Sequence, residues 1–277
     1  MTSPVAKVSV CIPTYRGVAT IRAAIESVLA QTFADFELIV IDDNSPDDTR
    51  AAVERIADPR VVYLRNDNNL GPQGNWNRCL ETARGKYFKL LPHDDLLHPR
   101  CLERQVAVLD LDRNERIALV FCARDVLAPD GRVLTRRGYP GGHEGPIEGA
   151  SVLGTCVRRG TNLVGEPGAV LMRKSLADRV GAFDATNPYV IDLDYWFRLL
   201  AHGDAYFCAE SLACFRVSGG SWSVAIGTGQ SSDFRDFIAR VTAAGALPAT
   251  AFDHFCGRFT PALNNLARLL FYRLYLR

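Results

Sequence analysis

Two adjacent carboxylates, Asp94 and Asp95, are the residues of this chain best suited to bind a cation. They follow the apolar run from Tyr87 to Leu91, which predicts a buried strand, and Pro99 begins the next predicted helix. Open α/β sheets bind ligands beyond the carboxyl ends of their strands. Carboxylate oxygens select hard cations such as Mg²⁺ or Mn²⁺. Substrate phosphates often complete the coordination shell of these ions. The pair therefore predicts a metal site, with a helix-capping turn as the alternative.

The segments before these acids alternate between strand and helix. Apolar runs predict strands at 7–12, 37–41, 61–64 and 87–91. We predict a helix after each of the first three strands, the second of them capped by Ser45 with Pro46 in its first turn. Strands joined by helices through short links form a parallel sheet covered by helices. The predicted fold class is therefore α/β, with a mostly parallel sheet.

The pattern is less regular beyond Pro99. Apolar runs predict strands at 117–123 and 169–172, a helix at 192–201, and one or two strands at 205–217. Residues 125–168 are rich in Gly, Arg and Pro and show weak periodicity. Long irregular stretches in compact domains are usually lids or binding loops. We therefore expect residues 125–168 to be an irregular functional loop.

Composition excludes several classes of protein. The 277 residues are 48% hydrophobic, enough for one large domain or two fused lobes. A net charge of +1 gives no electrostatic reason to expect nucleic acid as a partner. The first residues lack an apolar signal core, and no run reaches membrane-spanning length. We expect a cytoplasmic protein.

Cysteine and glycine spacing excludes other sites. The eight cysteines are scattered without a Cys-x-x-Cys pair, so we expect free thiols and no zinc site. No Gly-x-Gly-x-x-Gly or P-loop pattern follows a predicted strand. A bound phosphate would therefore need another source of positive charge, such as a metal.

Five segments of the chain, taken in their order and spacing, resemble the motifs of a known protein family. They are Val8–Arg16 (VSVCIPTYR), Glu37–Ser45 (ELIVIDDNS), Asn69–Gly71 with Ala83–Tyr87, His93–Asp95 (HDD) and Asp192–Arg198 (DLDYWFR). Together they resemble family 2 glycosyltransferases of the GT-A fold, a Rossmann-like sheet flanked by helices. The resemblance implies a glycosyltransferase domain at 1–220, with a nucleotide-sugar-binding half at 1–98 and an acceptor-binding half at 99–220. Residues 221–277 would form a C-terminal helical extension.

The resemblance implies a donor site at the ends of the first two strands. The residues that would line the nucleotide pocket are Pro13, Thr14, Tyr15 and Arg16. Asp43 would accept a hydrogen bond from the base. A carboxylate only accepts, and N3–H of uracil or thymine donates, so a UDP or dTDP sugar is favoured. Turn chemistry is the alternative for Asp43.

The metal site departs from the family pattern. Family members commonly carry Asp-x-Asp-Asp, and Pro92 occupies the first position here. The resemblance then implies Asp95 as the favoured ligand of Mn²⁺ or Mg²⁺, with Asp94 in support. Arg216 would pair with the diphosphate, or be a surface arginine at a strand end. Ser218 stands where family members often have a histidine ligand.

Arg78 is a further candidate for donor binding. The Ala-Arg-Asn often found at this point of the family is replaced by residues 74–78, Gly-Asn-Trp-Asn-Arg. The resemblance therefore implies that Arg78, or Asn75, contacts the donor.

Asp192 matches the position of the family's catalytic base. The implied reaction is inverting: Asp192 deprotonates a hydroxyl of a glycan or lipid-linked acceptor, which attacks the anomeric carbon in line. A metal would stabilise the departing nucleoside diphosphate. Asp192 also fits a helix N-cap, and Asp194 is a weaker candidate for the base. We expect a role in surface polysaccharide synthesis.

Two other functions and one C-terminal feature stay open. The alternatives are a non-catalytic sugar or nucleotide-binding relative and a sugar-phosphate nucleotidyltransferase, which would need a Gly-rich basic loop after the first strand. Residues His254–Arg277 contain four arginines, no acid and many leucines and aromatics. This composition is typical of a membrane-surface helix, which in a cytoplasmic protein would lie on the cytoplasmic face. The alternative is a helix packed on the catalytic domain or on a second subunit.

Overall fold

One mixed sheet forms the centre of the protein. The computed structural model describes residues 5–217, 229–245 and 248–275. The strands are β1 (Val8–Thr14), β2 (Phe36–Asp42), β3 (Val61–Arg65), β4 (Tyr87–Leu90), β5 (Leu96–Leu97), β6 (Ile117–Leu127), β7 (Val133–Arg137), β8 (Gly145–Ile147), β9 (Val170–Arg173) and β10 (Asp204–Arg216).

Helices cover both faces of this sheet. They are α1 (Ile21–Leu29), α2 (Thr49–Glu54), α3 (Gly71–Thr82), α4 (Cys101–Leu111), α5 (Gly149–Arg159), α6 (Lys174–Val180), α7 (Ile191–Leu200), α8 (Gln230–Ala243), α9 (Ala251–Gly257) and α10 (Thr260–Tyr275), with short 3₁₀ turns at Pro167–Ala169 and Pro188–Val190. None of the helices within the described ranges is both long enough and apolar enough to cross a membrane.

The strand order is β3-β2-β1-β4-β9-β6-β10-β5. The first four strands of this order are parallel, as the alternation of strand and helix predicted. β9 then runs antiparallel to both β4 and β6, whereas β6 and β10 are parallel to each other. The α/β fold class is confirmed, and its second half is mixed rather than parallel. The carboxyl ends of β1, β2 and β4 therefore meet at one edge.

Alternation along the strands builds one apolar layer on each face. In β1, Val10 and Ile12 join the layer that contains α1 and α4. Cys11 faces the opposite layer, where α5 and α7 pack. This follows from the two-residue period of a strand, which sends successive side chains to opposite faces. All eight cysteines are free thiols, as predicted.

The predicted start of α2 is wrong. The helix begins at Thr49, with Asp48 in the capping position, and not at Ser45. The Ser45 N–H donates to Asp42 Oδ1 at 2.9 Å, and its Oγ accepts from the Arg16 N–H at 2.9 Å. Ser45 therefore connects the loops after β1 and β2 instead of capping a helix.

The prediction of an irregular loop at 125–168 is also wrong. This stretch contains the end of β6, the short strands β7 and β8, and α5. β7 and β8 pair with β6 and β10, so neighbours in space rather than local periodicity specify them. In α5, a side chain on Gly149 would come within 2.4 Å of the Gly203 carbonyl oxygen. Close packing thus explains a helix whose small residues suggested a loop.

The C-terminal helices pack beside α5. Thr260 Oγ1 of α10 donates to the Arg158 carbonyl at 3.1 Å, and Asn264 Nδ2 donates to that of Gly160 at 3.1 Å. The predicted domain boundary after residue 220, and Ser218 with it, lie outside the described residues. The division into domains stays a prediction.

Candidate active site

Asp94 and Asp95 follow β4 and line a cavity of about 200 Å³. Asp95 is buried, and its Oδ1 accepts a hydrogen bond from the Arg216 backbone N–H at 3.0 Å. Burial, and then repulsion from Asp94, raise the pKa of the Asp95 carboxyl well above its usual value. An ionised Asp95 is therefore costly unless positive charge reaches the cavity.

These two side chains fit a hard divalent cation. Within the described part of the chain, Asp95 Oδ2 and the Asp94 carboxylate accept no hydrogen bond. Two neighbouring carboxylates with unused oxygens are the ligands that Mg²⁺ and Mn²⁺ take. Asp95 and Asp94 would hold such an ion, whose charge would offset their mutual repulsion.

Arg216 fastens these acids to the end of β6. Its Nε donates to the Asp94 carbonyl at 3.1 Å, and its Nη1 to the carbonyls of Pro129 at 3.1 Å and Ala128 at 3.5 Å. The guanidinium is thus largely occupied by backbone oxygens. Its contact with a diphosphate stays a prediction.

Asp43 holds the loop after β3 against the end of β2. Its carboxylate accepts from the backbone N–H groups of Leu70 at 2.8 Å and Gly71 at 2.9 Å, and from Asn66 Nδ2 at 2.6 Å. Arg78 of α3 donates to the side-chain oxygen of Asn66. Both predicted donor-binding side chains therefore belong to one hydrogen-bond network, and their contact with a nucleotide stays a prediction.

The predicted nucleotide-pocket residues close β1 beside Asp43. Pro13 and Thr14 are buried, and the Thr14 carbonyl accepts from the Asp43 N–H at 2.8 Å. Thr14 Oγ1 is buried without a hydrogen-bond partner among the described residues. Tyr15 and Arg16 are exposed, with the guanidinium carbon 5.3 Å from the ring centroid. The structure thus brings these five predicted residues together, outside the lining of the cavity.

Asp192 enters the cavity from α7. Its Oδ2 accepts from Asn162 Nδ2 at 2.9 Å, and its Oδ1 from the Leu193 N–H at 2.7 Å. Burial, and then the charge of Glu166, raise the pKa of the Asp192 carboxyl to about 7. A group with this pKa can accept a proton efficiently near neutral pH.

The N-cap alternative for Asp192 is wrong. The N-cap of α7 is Val190, and Asp192 lies at the second helical position. Asp194 instead forms ion pairs, at 2.8 Å each, with Arg198 and Arg240. Asp194 is therefore fixed by two guanidinium groups, whereas Asp192 faces the cavity.

Sequence reasoning missed most of the far wall of the cavity. Asn162, Glu166 and Arg137 line it, and all three come from the stretch predicted to be irregular. Of these, the sequence suggested only Glu166, as a substitute for Asp192 in the role of base. Glu166 forms a salt bridge with the buried Arg124. Although burial opposes it, Arg124 and then Arg137 lower the pKa of Glu166. Glu166 is therefore ionised, which explains its effect on Asp192.

Gly165 supports this wall, and its spacing from Asn162 is a pattern in the sequence that could have indicated the turn. Gly165 has φ +109°, and a Cβ there would come 2.7 Å from the Arg124 guanidinium carbon. Its carbonyl accepts from Trp196 Nε1 at 3.0 Å, and its N–H donates to Asn162 Oδ1 at 2.9 Å. The Asn-x-x-Gly spacing is typical of such a turn.

Aromatic and basic side chains complete the cavity. Trp76, Tyr189 and Phe215 contribute ring surface. Arg268 of α10 also lines it, with its guanidinium carbon 5.2 Å from the Tyr189 ring centroid. A concave site with ring surface and a few converging polar groups is typical of small-molecule binding. The cavity therefore combines a carboxyl group with a raised pKa, two adjacent carboxylates with unused oxygens, and cationic groups.

Comparisons with solved structures identify the fold. Solved structures with the same fold include Staphylococcus aureus TarS 1–349 in complex with UDP-GlcNAc (TM-score 0.69, 18% identity, 98% of this chain and 76% of that chain). A second is the mannosyltransferase PcManGT from Pyrobaculum calidifontis in complex with GDP-Man and Mn²⁺ (TM-score 0.61, 16% identity, 99% and 82%). At these identities the likeness shows the fold alone.

Sequence relatives extend the comparison. The Mycobacterium tuberculosis protein MT1568, which is uncharacterised, is 34% identical over 76% of this chain and 66% of its own length. The Escherichia coli UDP-Glc:alpha-D-GlcNAc-diphosphoundecaprenol beta-1,3-glucosyltransferase WfgD is 39% identical over 37% of this chain and 40% of its own. The chain spans about two thirds of the length of the first curated relatives it matches. Residues 9–181 match the model for glycosyl transferase family 2. The chain belongs to glycosyl transferase family 2 and has the GT-A fold.

Proposed function

We propose that this chain transfers a sugar from a nucleotide-diphosphate sugar to an acceptor hydroxyl with inversion at the anomeric carbon. The observation that carries the proposal is the presence of Asp192, with a pKa raised to about 7, in the same cavity as Asp94 and Asp95. A base and a cation-binding pair within one site can act on the two ends of a single displacement.

The chemical step begins at Asp192. Its carboxylate takes the proton of the acceptor hydroxyl, and the hydroxyl oxygen forms a bond to the anomeric carbon on the face opposite the diphosphate. The bond between that carbon and the diphosphate oxygen breaks, and its electron pair leaves with the nucleoside diphosphate. Mn²⁺ or Mg²⁺ held by Asp95 and Asp94 would supply positive charge for the leaving group. Asn162, which donates to Asp192 Oδ2, would orient the base.

The favoured donor is a UDP or dTDP sugar. Asp43 is an acceptor-only group at the end of β2, and N3–H of uracil or thymine is a donor. TarS was solved with UDP-GlcNAc, and the name of WfgD specifies UDP-Glc. The presence of Mn²⁺ with PcManGT supports a divalent ion. These relatives support the choice of donor and cofactor.

The favoured acceptor is a glycan carried on a lipid diphosphate. The name of WfgD specifies a diphosphoundecaprenol-linked acceptor. In this chain, Arg137 and Arg268 line the cavity that contains Asp192, and guanidinium groups bind phosphate well. Such an acceptor fits a role in surface polysaccharide synthesis.

The C-terminal helices would bring the cavity to a membrane. α9, α10 and the turn between them expose an apolar row, here called the C-terminal stripe, with members three or four residues apart: Phe252, Phe255, Phe259, Leu263, Leu266, Leu270 and Leu274. The segment His254–Arg277 contains four arginines and no acid. A basic helix with one apolar face suits an anionic lipid surface better than a second copy with the same charge. Because α10 also carries Arg268 to the cavity, binding of this helix to the cytoplasmic face of a membrane would hold the cavity close to a lipid-linked acceptor.

Vesicle sedimentation tests this placement. The full chain should sediment with vesicles that contain phosphatidylglycerol, and less with phosphatidylcholine alone. Leu266→Glu with Leu270→Glu should abolish sedimentation, whereas Leu111→Glu, at another exposed leucine, should not. A concentration-dependent dimer that the double variant dissociates, without binding to vesicles, would favour the homodimer instead.

Calorimetry of nucleotide binding tests the proposed function. UDP or dTDP should bind in the presence of Mn²⁺, and EDTA should weaken binding. Asp95→Asn keeps an acceptor for the Arg216 N–H but loses the charge, so the metal-dependent gain in affinity should fall by roughly 10- to 100-fold. Equal binding by wild type with Mn²⁺ and with EDTA would contradict a metal role. Binding without any sugar transfer to lipid-linked acceptors would favour a non-catalytic relative.

A further inference from the structure

His98, Asp125 and Cys214 form a cluster outside the cavity. His98 follows β5, Asp125 belongs to β6 and Cys214 to β10. His98 Nε2 is 3.2 Å from Asp125 Oδ2 and 3.4 Å from Cys214 Sγ. The three atoms lie within 4.8 Å of one another. None of the three residues is among the described residues that line the cavity.

One ring nitrogen makes both short contacts of this cluster, His98 Nε2. A single N–H on that nitrogen can point well at only one of Asp125 and Cys214, and sulfur is a weak hydrogen-bond acceptor. An imidazole nitrogen, a carboxylate oxygen and a sulfur this close together are also the ligand types of a zinc site.

The distances match tetrahedral zinc. Typical bonds of 2.0–2.2 Å to nitrogen and oxygen and of 2.3 Å to sulfur give tetrahedral edges of about 3.4 Å for N···O and about 3.6 Å for N···S. The observed separations of 3.2 Å and 3.4 Å agree within about 0.2 Å. The third edge, between the Asp125 oxygen and Cys214 Sγ, is within 4.8 Å, so a bound cation would have to shorten it by at most about 1 Å.

The surroundings of the cluster are also those of a metal site. Ser211 Oγ donates to Asp125 Oδ1 at 2.8 Å, which orients the carboxylate and leaves Oδ2 for the cluster. The side chain of His98 is 39% exposed, which gives a path of entry. A cysteine binds zinc as the thiolate, so binding of the cation releases one proton. The resulting thiolate and the Asp125 carboxylate balance a charge of +2.

We propose that His98, Asp125 and Cys214 bind Zn²⁺, with a fourth position open to water. A thiolate and an imidazole select zinc over Mn²⁺ or Mg²⁺, which prefer the all-oxygen pair at Asp94 and Asp95. The ion joins the end of β5 to β6 and β10, next to the backbone that holds Asp95. Cysteine spacing could not reveal this site, because its ligands lie 27 and 116 positions apart. It is a structural clamp and takes no part in the proposed transfer.

Cobalt titration of the full chain tests the proposal. Co²⁺ bound to a thiolate gives an intense charge-transfer band in the near ultraviolet. The wild type should show this band at one equivalent, and Zn²⁺ should remove it by competition. Cys214→Ser should abolish the band, and Ser211→Ala should weaken binding by about 10-fold. Cys256→Ser, at a half-buried cysteine of α9, and Asp95→Asn should both retain it.

Each other outcome overturns the proposal. No band in the wild type would show that the cluster is only hydrogen-bonded. A band that survives in Cys214→Ser, or that disappears in Cys256→Ser, would place the thiolate elsewhere. If Cys214→Ser does not fold, the variant His98→Asn is used instead. This variant should lose its bound zinc, measured by elemental analysis, and full retention of zinc would overturn the proposal. All these readouts are independent of sugar transfer.

Discussion

The acids at the end of β2 and the acids of the cavity are held in opposite ways. Asp43 accepts three hydrogen bonds, and Asp42 accepts from the Ser45 N–H at 2.9 Å and the Tyr63 hydroxyl at 2.6 Å. Asp95 and Asp192 are instead made costly to ionise by burial and by a neighbouring carboxylate. The first two acids hold the loops after β2 and β3, whereas acids whose pKa is strongly raised are typical of functional sites.

The substitution Asp192→Asn is the strongest test of this difference, because it asks whether Asp192 acts as the base. The amide keeps an oxygen for the Leu193 N–H but cannot accept a proton, so turnover should fall by about 10² to 10⁴ while donor affinity changes only a few-fold. Single-turnover transfer and donor binding, measured side by side, would check this. Asp130→Asn, at an exposed turn, is the control. Near wild-type transfer by Asp192→Asn would exclude it as the base and direct attention to Glu166.

The same substitution should change how the stability of the fold depends on pH. Asp192 has a pKa of about 7 in the folded chain against an ordinary value of 3.8, so folding favours its protonated form. That stabilisation is complete below about pH 4 and is lost as pH rises through 7. The asparagine stays neutral but loses the acceptor for Asn162 Nδ2, a cost that does not depend on pH. Its unfolding free energy relative to the wild type should therefore be higher at pH 8 than at pH 4, by at most about 4 kcal/mol. Denaturant melts of both proteins at the two pH values would show this, and the same difference between the proteins at both pH values would contradict it.

Asp43→Asn should have the opposite effect on stability. An amide nitrogen cannot accept both backbone N–H groups, so the loop after β3 should loosen and the free energy of unfolding should fall by roughly 1 to 3 kcal/mol. Binding of UDP should weaken more than binding of ADP, since only uracil offers N3–H. Denaturant melts and calorimetry measure the two effects. An equal loss for both nucleotides would assign Asp43 to the loop alone.

Glu166→Gln should give the smallest effect, a shift of the pH profile. Loss of its charge lowers the pKa of Asp192, so the acid limb of the transfer rate should move to lower pH by up to about one unit. The midpoint of the limb is the quantity to compare, because unpairing the buried Arg124 also lowers stability. An unchanged midpoint would show that burial alone sets the pKa of Asp192.

The first half of the fold and the acids at its edge could be predicted from sequence. Strands β1 to β4 are short apolar runs separated by helices, so periodicity places them, and Asp43, Asp94 and Asp95 are found because they follow strand ends. The resemblance to the family led to Asp192 as the candidate base, and this assignment stays a prediction. Its raised pKa was not predictable, because it depends on burial and on Glu166.

The far wall of the cavity could not be predicted, for a physical reason. Arg137, Asn162 and Arg268 come from β7, from the turn after α5 and from α10, and packing alone brings them together. α5 was hidden because tight contacts select its small residues, and these resemble a loop in composition. Local patterns report local structure, and tertiary contacts override them.

The hold of β10 on the acid pair has a consequence for the order of folding. The Arg216 N–H reaches Asp95 across 121 positions of sequence, and the Arg216 guanidinium binds the Asp94 carbonyl from the same place. Contacts between such distant segments form late, because the loop they close is long. The parallel strands β1 to β4 are therefore expected to associate before the acid pair takes its final position. An intermediate that protects these strands from hydrogen exchange would still lack the ability to bind a divalent cation.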